Sequence, residues 1–321
     1  MLSSVAERVY WLGRYLERAE NAARLLKVYS NMLFDLPRGS NLDWSTLIDI
    51  SGSHANYKEH YDNYDEKSVL NFLFSDAKNP NSIFACLVLA RENARTSREI
   101  IPSETWEQVN ALYYTIKENI NPRIGRASRY ALLEEIIADS QRIEGMFVSS
   151  MSHNQAYSFI ELGRKLERAD MTSRLVDVGS INLIPAFAGK SEQNSFLEPY
   201  ENIVWINVLR CIGAFQAYRQ QVHNRVSGNL VVRFLLQDEE FPRAIGFCLS
   251  ALAESLERLP NNDDVKRAVA RVKRISREVD VESLLQRGLL EFIDELQISI
   301  ADIHEEISRI WFSPETIQNA E

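Results

Sequence analysis

Glycine is scarce in this chain, at 12 of 321 residues, roughly half the usual share of about 7%. Proline is scarcer still, at 9. A long chain with so few breakers favours long helices over many short strands, and collagen-like and low-complexity classes are excluded. There are three cysteines, Cys86, Cys211 and Cys248, far apart and without a CxxC. An odd, scattered set excludes a disulfide scaffold and points to a reducing compartment. No apolar run approaches the roughly 18 residues of a membrane span, and MLSSVAERVYW at the N-terminus has no apolar leader core. Positive charge is also short: the net charge is −9, which argues against general nucleic-acid binding. The expected protein is cytoplasmic, with neither membrane nor nucleic acid as partner.

Catalytic signatures are missing as well. None of the histidines 54, 60, 153, 223 and 304 has Glu or Asp three residues before it, so the Glu-x-x-His pairs of di-metal bundles are absent. There is no HExxH, GxGxxG or GxSxG. Gly189-Lys190-Ser191 resembles the end of a P-loop, but position 184 is Ile, not the required Gly. No metal and no cofactor is expected. Cys86 and Cys248 read as core residues, and His304 as a surface group on the last helix.

What is present is a repeat. Residues 12–26 read LGRYLERAENAARLL and residues 162–176 read LGRKLERADMTSRLV, with nine of fifteen positions identical. The correspondence continues from Trp44, Gly52 and Tyr57 to Trp205, Gly213 and Tyr218. It then runs from Phe72, Asp76, Pro80, Ile83 and Cys86 to Phe234, Asp238, Pro242, Ile245 and Cys248. The offset grows from 150 to 162, which requires an insertion within 177–204. The chain therefore reads as two related halves, 1–150 and 151–321, with no linker of Gly, Pro or Ser at the junction. Halves packed together about a pseudo-two-fold, sharing a core, fit better than two independent units. Nearly every segment carries the three-to-four-residue apolar period of helices. The expectation is an all-α, internally duplicated bundle, with six helices per half: 3–33, 43–61, 66–76, 80–100, 103–119 and 125–149, then 152–177, 201–226, 229–237, 242–259, 263–276 and 280–312. Asn79-Pro80 is expected to cap the fourth.

On a helical wheel, Leu12, Leu16, Ala19, Ala23 and Leu26 share one side of the first helix. Gly13, Glu17, Glu20 and Arg24 form a narrow band on the other, flanked by Arg14, and the second copy repeats it as Gly163, Glu167, Asp170 and Arg174 flanked by Arg164. A solvated face would hold only intrahelical pairs worth a few tenths of a kcal/mol each. Solvated charges are freely exchanged, yet this band stands in both copies. A glycine inside a helix costs about 1 kcal/mol, so Gly13 and Gly163 imply a close neighbour. The favoured neighbour is the matching helix of the other half, with Glu and Arg paired across the contact; a ligand cleft is the alternative. A second segment, ARENARTSRE, sets Arg91, Arg95 and Arg98 on one face and Glu92 and Glu99 on an adjoining one. In the other half Ala253, Glu257 and Pro260 stand in place of the three arginines. Arginine is suited to forked recognition of carboxylate or phosphate, and surface lacing is the competing reading.

The two LGRxLERA segments, with PNS at 80–82, ARENAR at 90–95 and SETWEQVN at 103–110, resemble the bacterial alpha-E family over nearly the whole chain. The resemblance implies an all-helical protein associated with circularly permuted ATP-grasp proteins and transglutaminase-like proteases, hence a part in ATP-dependent amide or peptide ligation. It supplies no catalytic residue. The charged motif falls on Arg14, Glu17, Arg18, Glu20 and Arg24, and on Arg164, Glu167, Arg168, Asp170 and Arg174. Three functions follow as expectations. The favoured one is a non-catalytic scaffold that docks the ligase or presents its substrate. The second is an enzyme of unrecognised type using Glu17, Glu20, Glu167 or Asp170. The third is a small-anion or peptide binding module using Arg91, Arg95 and Arg98. The sequence also allows a homo-oligomer.

Overall fold

A computed structural model describes residues 1–35, 43–120, 124–181 and 198–313. Among them are fifteen α-helices and no strand. Those of the first half are α1 (Ser3–Asp35), α2 (Ser45–Ser51), α3 (His54–His60), α4 (Glu66–Phe74), α5 (Ile83–Arg95), α6 (Ser103–Asn119) and α7 (Arg126–Ser150). Those of the second are α8 (Gln155–Ile181), α9 (Glu198–Cys211), α10 (Phe215–Gln221), α11 (Gly228–Gln237), α12 (Ile245–Leu256), α13 (Asp263–Glu278), α14 (Val281–Arg287) and α15 (Leu289–Ile307), the last running into a π-helical turn over Ser308–Phe312. Most of the expected insertion, and Gly189-Lys190-Ser191, lie outside the described residues.

Twelve helices were expected, and the difference comes from three glycines. The expected helix 43–61 breaks at Gly52 (φ 63°), 201–226 breaks at Gly213 (φ 68°), and 280–312 breaks at Gly288 (φ 155°). All three lie at positive φ, where an L side chain is strained. The apolar period runs through these breaks, so periodicity alone hides them. Asn79-Pro80 does not cap α5. That role falls to Ser82, whose hydroxyl accepts from the Ala85 amide at 3.2 Å. Asn79 instead braces the preceding turn, donating to the Phe72 carbonyl at 3.0 Å.

Helix α1 packs against α5 and α7, with α6 joining them from behind; α8 packs in the same way against α12 and α15, with α13 behind. Among the described residues the most extensive helix contact is α1 with α8. The short helices cross over: α2 packs more on α8 than on α1, and α9 more on α1 than on α8. The buried core therefore runs without interruption from the helices around α1 to those around α8. Tyr57 and Tyr218, aligned in the repeat, are both fully buried, as are Trp205, Phe72 and Phe147. No helix among the described residues is long and apolar enough to cross a membrane.

Candidate functional site

The site is built where α1 meets α8. Its starting point is Gly13 and Gly163. A Cβ on Gly13 would strike the Ile160 carbonyl oxygen, and one on Gly163 would strike the Tyr10 carbonyl oxygen. Only glycine lets the two backbones come this close. The contacts keep a separation near 150 residues along both helices, so α1 and α8 run side by side in the same direction. The charged bands consequently face each other, with Glu17, Glu20, Glu167 and Arg168 buried.

Glu17 is 2% exposed. It receives the Arg168 guanidinium on both oxygens, Nε at 2.8 Å and Nη2 at 2.7 Å. Glu167, 4% exposed, receives Arg18 likewise, Nε at 2.6 Å and Nη2 at 2.9 Å, and the Nε of Arg14 at 2.8 Å. Such two-pronged pairs are the strong form of the charge-assisted hydrogen bond. Arg164 binds Glu161 at 2.6 Å, contacts Glu144 of α7 closely, and lies 3.9 Å from Glu17. Glu20 holds Arg24 one turn on, and Asp170 holds Arg174 in the same manner at 2.9 Å. Arg243, in the loop before α12, enters from outside both helices. Its Nη1 donates to Glu17 at 2.8 Å and to the Asn21 amide oxygen at 2.7 Å, and its Nη2 to Glu20 at 2.7 Å.

Burial opposes ionisation of Glu17, Glu167 and Glu144, but the arginines outweigh it. Arg168, Arg243 and Arg164 hold Glu17 well below the usual carboxylate range. Arg18 and Arg14 bring Glu167 down to about 2, and Arg164 and Arg168 bring Glu144 down to about 2. A general acid or base at neutral pH needs a pKa near 7. These carboxylates are displaced the other way, and Glu17 and Glu167 each already accept from arginines. The arrangement binds α1 to α8 and is unsuited to proton transfer by Glu17 or Glu167.

The second basic segment does not join this lattice. Arg91 donates to the Asn110 amide oxygen at 2.7 Å and lies over Tyr113 of α6, 4.8 Å from the ring centre. Arg98 lies over Trp106 at 5.4 Å. Arg95 pairs with Glu92 on the exposed surface at 2.6 Å, and Glu99 is exposed. The three arginines are thus spread over aromatic rings and a neighbouring acid. The cysteines are fully buried thiols pushed up by burial, Cys86 to about 12, Cys211 to about 12 and Cys248 to about 11. His304 corrects its expected surface placement. It is half-buried, stacked on Tyr10 at 5.6 Å, with the Tyr10 hydroxyl 2.9 Å from Nδ1.

Sequence reasoning missed Arg243, Glu144 and Glu161. The first two come from other elements far along the chain, where no helical wheel reaches them. Arg243 did leave a signal: at the repeat offset of 162 it stands opposite Asn81, immediately after the aligned Pro80 and Pro242.

An all-helical protein centred on a largely buried arginine–carboxylate lattice between two parallel helices is the class these features define. The chain belongs to the alpha-E family, described as a predicted alpha-helical domain with a conserved ER motif, whose sequence model matches residues 1–312. The Glu-Arg pairs at the centre of the lattice are Glu17-Arg18 and Glu167-Arg168. Similar proteins include Uncharacterized protein Mb2597 of Mycobacterium bovis and Uncharacterized protein MT2643 of Mycobacterium tuberculosis, each 23% identical over 324 residues, covering 94% of this chain and 35% of the relative. The chain thus spans about a third of the length of the curated relatives it matches. No solved structure matches.

Proposed function

We propose that the chain is a doubled helical scaffold, its halves 1–150 and 151–321 related by a pseudo-two-fold along α1 and α8, serving a cytoplasmic ATP-grasp-dependent amide or peptide ligation system. It docks the circularly permuted ligase or presents the ligase's substrate, beside a transglutaminase-like protease, and does not turn over substrate alone. The observation that carries this reading is the pairing within the lattice: Glu17 and Glu167, the foremost candidates for catalysis, accept from arginines that clamp the two helices. Reciprocal close approach at Gly13 and Gly163 supports the pseudo-two-fold. The relatives' greater length supports a unit that works joined to other modules.

The test is co-expression with the circularly permuted ATP-grasp protein, followed by size-exclusion chromatography and mass spectrometry of what the pair makes. The expected result is one complex, with ligation that needs both proteins. Separate elution, or amide-bond chemistry by this chain alone, overturns the reading.

A further inference from the structure

The two carboxylate pairs differ in the number of guanidiniums around them. Glu17 has Arg168, Arg164 and Arg243 about it, whereas Glu167 has Arg18 and Arg14. Glu20 has Arg24 and Arg243, whereas Asp170 has Arg174. One guanidinium, that of Arg243, accounts for both differences. At the aligned position stands Asn81, in a loop held alike: the Cys86 thiol donates to the Pro80 carbonyl at 3.8 Å and the Cys248 thiol to the Pro242 carbonyl at 3.6 Å. Asn81 is too short to reach the carboxylates and instead accepts from Arg18 Nη1 at 2.6 Å.

The space that an arginine would fill is open. A cavity of about 170 Å³ lies there, with Arg18, Asn81, Glu167, Asp170 and Arg174 in its wall and Leu26, Leu73 and Met171 among the apolar residues lining it. A single water, about 30 Å³ in the liquid, does not fill it. The Asp170 side chain is 22% exposed where that of Glu20 is 3%.

We propose that this cavity binds a small molecule bearing a guanidinium or primary ammonium group, which takes on Glu167 and Asp170 the place that Arg243 takes on Glu17 and Glu20. The neighbouring arginines do not forbid a cation. Glu17 already carries Arg168 and Arg164 and still accepts Arg243, because Glu20 supplies a second carboxylate one turn on and Glu144 and Glu161 share Arg164 and Arg168. Beside the cavity Asp170 is the second carboxylate, and Asp177 acts on Arg174. The exchange of Asn21 for Met171 removes one acceptor and adds an apolar contact, which suits the alkyl stem of such a ligand. Arg174, 30% exposed at its side chain, stands where a carboxylate on the same ligand would meet it. This site goes beyond the scaffold reading and stands or falls without it.

The experiment is isothermal titration of the full chain with agmatine, putrescine and L-arginine, and with acetate and phosphate as anionic probes. Agmatine or putrescine should give saturable binding. Tighter binding of L-arginine than of agmatine would indicate an amino-acid ligand, and the reverse a free amine. Asp170→Asn should weaken binding at least tenfold. Asn81→Arg, which installs the missing guanidinium, should abolish binding without lowering the melting temperature. If Asn81→Arg misfolds, Asp170→Asn alone carries the test. No saturable heat with any cationic probe, binding of the anions alone, or wild-type affinity in Asp170→Asn overturns the proposal.

Discussion

The carboxylate of Glu17 takes both arms of the Arg168 guanidinium, at 2.8 and 2.7 Å, from a helix that begins 138 residues after Glu17. Glu167 takes Arg18 in return, at 2.6 and 2.9 Å. Breaking a buried pair by removing one charge costs about 3–5 kcal/mol, because the partner is left buried and unpaired. Glu17→Gln and Glu167→Gln should therefore each lose stability of that order in urea or guanidinium unfolding, with a fall of several degrees in melting temperature. An enzyme reading of these residues requires the opposite pattern, unchanged melting with lost turnover.

The glycines give a sharper contrast. Alanine normally gains about 1 kcal/mol over glycine inside a helix. At Gly145, in α7, nothing lies within 4 Å of an added Cβ, so Gly145→Ala should stabilise by up to that amount. At Gly13 and Gly163 the added carbon meets backbone oxygens that no rotamer change can move. Gly13→Ala and Gly163→Ala should destabilise by more than about 2 kcal/mol, within the overpacking range, and the three variants can be ranked by chemical denaturation.

Acid should weaken the fold through the same lattice. Glu17, Glu144 and Glu167 titrate below their ordinary 4.5 in the folded chain. The unfolded chain thus takes up protons first, and stability present above pH 4.5 is lost as pH falls towards 2. His304 is also lowered, from 6.5, by burial and then by Arg14. Its contribution is complete above pH 6.5 and is lost as pH drops through its folded value. Unfolding free energies measured from pH 7 down to 3 should decline in these two stages, and His304→Gln should remove the earlier one.

The thiols should be silent. Cys86, Cys211 and Cys248 are buried and held protonated by burial, so the thiolate needed for alkylation is absent at neutral pH. Iodoacetamide should label none of them in the native protein within minutes, and all three in urea.

The repeat made α1 and α8 legible because both the charge band and its glycine stand twice, and a glycine inside a helix costs about 1 kcal/mol. Which side chains complete the lattice was not legible, since Glu144 and Arg243 arrive from α7 and from the loop before α12. The breaks at Gly52 and Gly213 were hidden for a different reason: their flanking residues keep one apolar period while the backbone turns at positive φ. His304 was misplaced because its neighbours Glu305 and Glu306 suggest a surface, whereas Tyr10 from α1 covers its ring.

The central claim is that Glu17 and Arg168 lock α1 to α8. A double-mutant cycle with Glu17→Gln and Arg168→Met, read by equilibrium unfolding, isolates their coupling. The account predicts at least about 2 kcal/mol, within the range measured for close, desolvated charge pairs. A coupling below about 0.5 kcal/mol, as for pairs in open water, would contradict it.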